Sequence, residues 1–264
     1  MGWVSGLAVT IHSGGMQIIE VSVIGVRSSV LRLTRHGSPL RFEIYPMVHI
    51  GEPAFYAAVA DRLRRCDLIV AEGVGRPPRP DEPSVAPPSR GGLAALSALT
   101  AGYQLPAWFG RSGLVEQDLR YKSLGVPVLY PDMTDEQFAA GWRAVPWWQR
   151  AAVVAVSPLI GLERLAFGSR RALARHMELT DVDWYDRFVD VESIDELMGL
   201  LLEQRDKLLM TQLDEIHRKR RSEPITVAVV YGAEHVAPVV HAMRTLHGYG
   251  VRSAEWLTVF GFED

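Results

Sequence analysis

Titratable side chains follow four stretches that have the composition of buried strands. His49 follows "EIYPMV", Glu72 follows "LIVA", Asp132 follows "VPVLYP", and "ITVAVVYG" leads into Glu234 and His235. If these strands lie parallel, their carboxyl ends meet at one edge of the sheet, where open α/β sheets bind ligands. Two imidazoles and two carboxylates at one edge would suit a divalent cation, or acid and base roles at a hydrolytic centre.

Each of these residues also has a purely structural explanation. A single His at a strand end commonly bonds a backbone carbonyl, and a carboxylate near a helix start often caps it, which would cover Asp132 and Glu234. Glu72 is harder to explain in this way, because it directly follows the apolar run "DLIVA" and a buried carboxylate needs a partner. From spacing alone, the site and the structural explanation stay equally open.

Composition and charge exclude several classes of protein. The chain has 264 residues, 48% of them hydrophobic, so it can bury a substantial core, and its formal charge of −3 supplies no basic field for nucleic acid. A single cysteine, Cys66, excludes an internal disulfide and agrees with a reducing compartment. The stretch "AAVVAVSPLIGL" is too short to span a bilayer at about 20 residues. Since the N-terminus also lacks a signal-peptide pattern, we expect a cytoplasmic protein without a membrane span.

The first part of the chain predicts a strand meander followed by a βαβ unit. Strands are predicted from Met16 to Val26, from Ser29 to Thr34 and from Leu40 to Val48, with the first break at Arg27-Ser28. Pro53 to Arg65 predicts a helix with Phe55, Val59 and Leu63 on one face, and Asp67 to Ala71 predicts the next strand.

The rest of the chain predicts helices around two further strands. The proline-rich segment from Arg76 to Gly92 predicts a loop beside the cleft. Helices are predicted at Leu93 to Tyr103, Leu114 to Leu124, Thr134 to about Met177 and Ser193 to about Arg221, and strands at Val126 onward, Ile225 to Tyr231 and Ala254 to Phe260. We therefore predict a single α/β domain over residues 1–264, with a mixed central sheet, flanking helices and an inserted helical region from about Leu93 to Asp190.

The order of three segments resembles the TraB/Tiki family. They are "VHIGEPAFYAAVADRLRRCDLIVAEG", "EQRDKLLMTQL" and "VVYGAEHV". In that family a Gly-x-x-His strand end, a strand ending in Glu, a helix with Arg followed by an acid or amide, and a second Gly-x-x-His occur in this order. The resemblance covers about Tyr45 to the C-terminus. It implies an α/β core with inserted helices, related to the fold of erythromycin esterase and haem-binding ChaN-like proteins.

The resemblance implies a metal-dependent hydrolase, peptidase-like or esterase-like, that acts on an unknown peptide or small molecule. By position, it assigns His49, Glu72 and His235 to metal binding or water activation, and Arg205 to charge stabilisation. Asp132, from the strand-end pattern, is a fourth candidate ligand for Mn, Co or Zn. Near Glu72, the Arg205 guanidinium would hold that carboxylate ionised or stabilise an oxyanion. The alternative for Arg205 is an exposed helix residue paired with a neighbouring acid.

The sequence departs from the family pattern at Pro46, where a Gly is expected. Proline lacks an N–H and has a fixed φ, so a backbone donor is lost there. The alternative function is therefore a non-catalytic binding or regulatory protein with the same cleft. Gln117, Asp118 and Tyr121 offer a weaker match to further family positions. The oligomeric state stays open, with a homodimer among the alternatives.

Overall fold

A mixed sheet of eight strands lies at the centre of the protein. The computed structural model describes residues 9–13, 16–73, 113–144, 146–148, 150–151, 170, 174 and 192–262. The strands of the sheet are β1 (Val9–Ser13), β2 (Met16–Ser22), β3 (Gly25–Arg35), β4 (Ser38–Met47), β6 (Leu68–Ala71), β8 (Val128–Leu129), β9 (Thr226–Gly232) and β10 (Gly250–Gly261). A separate pair consists of β5 (Ile50–Gly51) and β7 (Val115–Glu116). The α-helices are α1 (Pro53–Leu63), α2 (Asp135–Ala144), α3 (Glu192–Arg220) and α4 (Val236–His247).

The sheet has an antiparallel half and a parallel half. Its order is β1-β2-β3-β4-β9-β6-β8, and β10 pairs with β3. The pairs among β1 to β4 and between β3 and β10 are antiparallel, whereas β4, β9, β6 and β8 are parallel to one another. The predicted α/β class with a mixed sheet and flanking helices is therefore confirmed.

The parallel half is the most deeply buried part of the sheet. In β9, the residues from Val227 to Tyr231 are each at most 1% exposed. A strand that is covered on both faces reads as a continuous apolar run, which is the pattern of "VAVVY". This burial holds β9 between β4 and β6 and so fixes where the residues that follow it lie at the edge of the sheet.

The helices follow local signals in the sequence. Pro53 is at the start of α1, and the buried face of this helix contains Phe55, Val59 and Leu63, as predicted. Helix α2 begins with a reciprocal pair in which the Gln137 backbone N–H donates to the Thr134 hydroxyl and the Thr134 N–H donates to the Gln137 side chain. Helix α4 ends at Gly248, whose φ of 70° is in the left-handed region that glycine tolerates.

Two predictions of local structure are wrong. Arg27 and Ser28 do not break a strand but belong to β3, since the hairpin turn lies at residues 23–24. Cross-strand contacts explain this, because Arg27 pairs with Glu20 and the buried Ser28 hydroxyl donates to the Pro46 carbonyl at 2.6 Å. The predicted helix from Leu114 to Leu124 is instead β7 and a 3₁₀ turn at Tyr121–Ser123. There the backbone pairs with β5, which overrides the local helical pattern.

Several predicted segments lie outside the described residues. These include the loop from Arg76 to Gly92, the helix from Leu93 to Tyr103 and most of the insertion predicted between Leu93 and Asp190. Within that insertion, the described elements are β7, the 3₁₀ turn, β8 and α2. Among the described helices, none combines the length and the hydropathy that crossing a bilayer requires.

Candidate active site

The four parallel strands bring the predicted site residues to one edge of the sheet. His49 lies two residues after β4, His235 three after β9, Glu72 directly after β6 and Asp132 three after β8. These strands are neighbours in the order β4-β9-β6-β8, so the four segments that follow them are adjacent as well. The edge is the carboxyl edge, where α/β sheets place their ligand sites.

Arg205 connects two of these segments from helix α3. Its Nη2 donates to both Glu72 and Asp132, the latter at 3.0 Å, and its Nε donates to Asp132 at 2.9 Å. The side chain is 14% exposed, and that of Asp132 only 1%. Arg205 is therefore not an exposed residue paired with its helix neighbours. It is the partner that the buried carboxylates need.

Glu72 is held in its ionised form by this environment. Burial by itself would raise its pKa, but the Arg205 guanidinium, with further contributions from His49 and His235, lowers the pKa from 4.5 to about 2. The Glu72 Oε2 also accepts the backbone N–H of Gly232 at 2.9 Å. Glu72 thus connects the end of β6 to the turn that carries His235.

Asp132 has a structural role that is different from the helix cap considered above. Its Oδ2 accepts the N–H of Gly73 at 3.0 Å, and its Oδ1 accepts the N–H of Met133 at 2.8 Å. The α2 cap is Thr134 instead. Asp132 therefore fixes the strand ends of β6 and β8 to each other and positions Arg205 between the two carboxylates.

His235 is oriented by the residue that follows Arg205. It lies in a 3₁₀ turn, Ala233–His235, and is 1% exposed. Its Nδ1 is 2.7 Å from Asp206 Oδ1. Because an ionised carboxylate only accepts hydrogen bonds, the ring nitrogen that faces it must carry a proton. A neutral His235 therefore has its lone pair on Nε2.

The Nε2 atom of His235 is buried and has no hydrogen-bond partner among the described residues. The carboxylate of Glu234 is close to it, with Oε1 at 3.6 Å. A Cβ placed on Gly232 would lie 3.5 Å from Glu72 Oε2, 3.6 Å from Glu234 Oε1 and 3.7 Å from the His235 ring. These three groups therefore surround the position that a side chain at residue 232 would occupy, and the glycine leaves this position open.

His49 differs from His235 in its surroundings. It is exposed, and its carbonyl accepts the N–H of Gln117 at 2.8 Å. Its imidazole is near enough to lower the pKa of Glu72, so the structure brings it to the same edge. Asp118, from the weaker match, pairs with Arg120 at an exposed position.

Pro46 is accommodated within β4. It pairs with Tyr231 in the parallel ladder, and its carbonyl accepts the Ser28 hydroxyl at 2.6 Å. The paired residues of β3 and β4 end before Pro46 is reached, so its missing N–H does not interrupt that ladder. Strand β4 therefore continues to Met47 and still delivers His49 to the edge.

The described side chains at this edge are not arranged as the ligands of one metal ion. Among the described residues, no three His, Cys, Asp or Glu side chains are placed to hold one ion. The carboxylates of Glu72 and Asp132 are already paired with the guanidinium of Arg205, which lies between them where a metal ion would otherwise bind. Metal binding by His49, Glu72, Asp132 and His235 therefore stays a prediction.

The contact between Arg205 and Glu72 was predicted, whereas two other contacts of the site were not expected from the sequence. Asp206, beside Arg205 on α3, contacts His235 Nδ1, and only the fold shows this. The N–H of Gly232 is the second such contact. The available signal was the adjacent Arg and Asp on one helix, near the start of "RDKLLM".

Comparison with known proteins does not assign the chain to a family. No family model, no curated protein and no solved structure matches it. The TraB/Tiki resemblance therefore stays a prediction that is based on the motifs alone.

Proposed function

We propose that this protein hydrolyses an amide or ester bond, with His235 as the general base that activates water. The observation that carries the proposal is the buried Nε2 of His235, which has no partner among the described residues, opposite an Nδ1 held by Asp206 at 2.7 Å. An imidazole that is fixed by a carboxylate on one nitrogen, with the other nitrogen unpaired, has the arrangement of a general base.

In the proposed reaction, the water oxygen attacks the carbonyl carbon of the substrate while His235 Nε2 takes the water proton. The same proton then passes to the leaving nitrogen or oxygen as its bond to carbon breaks. The imidazolium that exists between these steps is stabilised by Asp206 and by the ionised Glu72.

Glu72 supports this reaction by its charge. A carboxylate with a pKa of about 2 is a weak base near neutral pH, so it is poorly suited to take a proton from water. Arg205, whose Nε and Nη2 donate to carboxylates, is likewise better suited to hold Glu72 ionised than to stabilise an oxyanion. Both act as positioning residues in the proposal.

The proposed substrate is a peptide or a small molecule with such a bond, in the cytoplasm, and the protein acts alone or as a homodimer. The second candidate is a binding protein without turnover. It is favoured by the compensation of the Arg205 charge by two carboxylates, which leaves that guanidinium little capacity to stabilise a transition state.

A substrate screen with three variants tests the proposal. The protein is assayed on aryl esters and on a peptide library, with a chelator and with added Mn²⁺, Co²⁺ or Zn²⁺. We expect turnover that falls by about 10²- to 10⁴-fold in His235→Gln, the range for loss of an acid-base group. Asp206→Asn should lower kcat more than it changes KM.

The matched control is His241→Ala, which removes an exposed imidazole from the neighbouring helix α4. Its activity should equal that of the unaltered protein. Activity that survives His235→Gln would contradict the proposed base. Binding of library members without turnover would favour the second candidate.

A further inference from the structure

A polar cavity lies at the end of the parallel strands opposite to the candidate active site. It has a volume of about 320 Å³. Its lining includes Glu43, Thr226 and four arginines. The arginines are Arg32, Arg41, Arg62 and Arg65. Thr226 is the first residue of β9, and Arg41 pairs with it in the parallel register. The cavity is therefore at the amino edge, about 20 Å from the end of β4 at about 3.3 Å per residue.

The fold brings these arginines together from three elements. Arg32 and Glu43 are opposite each other on β3 and β4, so their side chains share one face of the sheet. Arg41 is two residues before Glu43 on β4, so it extends from the same face. Arg62 is in the last turn of α1, and Arg65 follows that helix.

The one carboxylate in the cavity is fully used. Glu43 Oε1 accepts the Nε and Nη2 of Arg32, at 3.0 and 2.8 Å. Its Oε2 accepts the Tyr45 hydroxyl at 2.8 Å. Glu43 therefore compensates Arg32 and leaves the charges of the other three arginines to be balanced elsewhere.

Only one of these three has a carboxylate partner among the described residues. Arg62 donates from Nη1 and Nη2 to Glu255 on β10, at 3.3 and 2.5 Å. Its Nε is buried and has no acceptor in the described part of the chain. The side chains of Arg41 and Arg65 are exposed and form no hydrogen bond or ion pair with any described residue. The neighbouring Asp67 is bonded to the N–H of Thr226 at 2.8 Å.

We propose that this cavity binds the phosphoryl group of a small phosphorylated ligand. Guanidinium groups present N–H donors in a planar fork that matches phosphate oxygens, and several of them around one cavity balance more than one negative charge. The volume is at the lower end for small-molecule sites, which suits a mono- or diphosphate group. The lining is mainly cationic, so a neutral or apolar ligand would leave the like charges facing one another.

Isothermal titration calorimetry with inorganic pyrophosphate tests this assignment. The full chain is titrated at constant ionic strength, and the variant Arg41→Ala/Arg65→Ala is compared with it. We expect saturable binding that is weakened by about tenfold for each arginine removed, the effect of losing one charged hydrogen bond. Both arginines are exposed, so the variant should fold, which its circular dichroism spectrum and Tm without ligand verify.

The matched control is Arg64→Ala/Arg120→Ala. It removes the same number of positive charges from exposed ion pairs with Asp61 and Asp118, and neither arginine lines the cavity. Its affinity for pyrophosphate should stay within about twofold of the unaltered protein.

Three results would overturn the assignment. They are the absence of saturable binding to the unaltered chain, an equal loss of affinity in the control, and an equal heat from sodium chloride at the same ionic strength. Retained binding in the Arg64 and Arg120 control, together with its loss in the Arg41 and Arg65 variant, would support it. The result is independent of the proposed hydrolysis, since neither arginine belongs to the carboxyl edge.

Discussion

The two ends of the parallel strands differ in how their arginine charges are balanced. At the carboxyl edge, the guanidinium of Arg205 bonds two carboxylates and is 14% exposed. At the amino edge, four arginines line a cavity with one carboxylate, and Arg41 and Arg65 have no partner among the described residues. In the first arrangement the positive charge of Arg205 is balanced by two carboxylates of the protein, and these bonds hold the strand ends together. In the second, an anion that binds from solution would best balance the excess positive charge.

This difference also separates what each region is able to do. At the carboxyl edge, where the charges compensate each other, His235 Nε2 has no hydrogen-bond partner among the described residues. This nitrogen therefore suits proton transfer. Where positive charges are in excess, the cavity suits binding by charge. The same arginine chemistry therefore supports positioning at one edge and recognition at the other.

The largest expected effect is on stability when Arg205 is removed. Arg205→Met leaves the buried Asp132 and the partly buried Glu72 without their cation, so the free energy of unfolding should fall by about 3 kcal/mol. Urea unfolding at neutral pH measures this.

In contrast, Arg41→Ala removes one of several like charges in the cavity. Its free energy of unfolding should stay within about 0.5 kcal/mol of that of the unaltered protein. Arg218→Ala, from an exposed pair on α3, is the control for loss of a helix arginine and should have a similarly small effect. Equal losses in the Arg205 and Arg41 variants would contradict the proposed difference between the two edges.

The second effect is the dependence of stability on pH through Glu72. Its pKa is about 2 in the folded protein and ordinarily 4.5, so the ionised carboxylate stabilises the fold fully above about pH 4.5. As the pH falls further, the unfolded chain binds the proton first, and this stabilisation is lost by about pH 2. The loss should amount to about 3 kcal/mol.

Urea unfolding at a series of pH values isolates this contribution when Glu72→Gln is measured alongside. The variant should be less stable at neutral pH, and the difference between the two proteins should shrink as the pH falls from 4.5 towards 2. A difference that stays constant over this range would show that the charge of Glu72 is not what stabilises the fold.

The smallest expected effect is that of added metal. Since the carboxylates of Glu72 and Asp132 are already paired with Arg205, we expect Mn²⁺, Co²⁺ or Zn²⁺ to leave Tm unchanged. A rise in Tm that disappears in both His49→Ala and His235→Ala, but not in the His241→Ala control, would show instead that the carboxyl edge rearranges around a cation. The metal dependence implied by the family resemblance would then apply.

Strong periodic patterns predicted the elements of this fold well. The helix with Phe55, Val59 and Leu63 on one face and the strand that precedes Gly232 were both found at the predicted places. Local patterns failed where distant strands decided the structure. The residues around Val115 pair with β5 instead of forming a helix, and Ser28 is kept within β3 by its contact with Pro46.

The sequence by itself determined which residues follow the strands. Apolar runs that are followed by His49, Glu72, Asp132 and His235 are visible without coordinates, because a strand buried on both faces reads as a continuous apolar run. Only the tertiary structure decided which charges meet. Arg205 and Asp206 are adjacent on one helix, yet they contact Glu72 and His235, which follow different strands. The arginine cavity was likewise invisible, since its residues come from β3, β4 and the end of α1. Pairing between side chains that are distant along the chain depends on strand order and helix packing, and local spacing does not encode these.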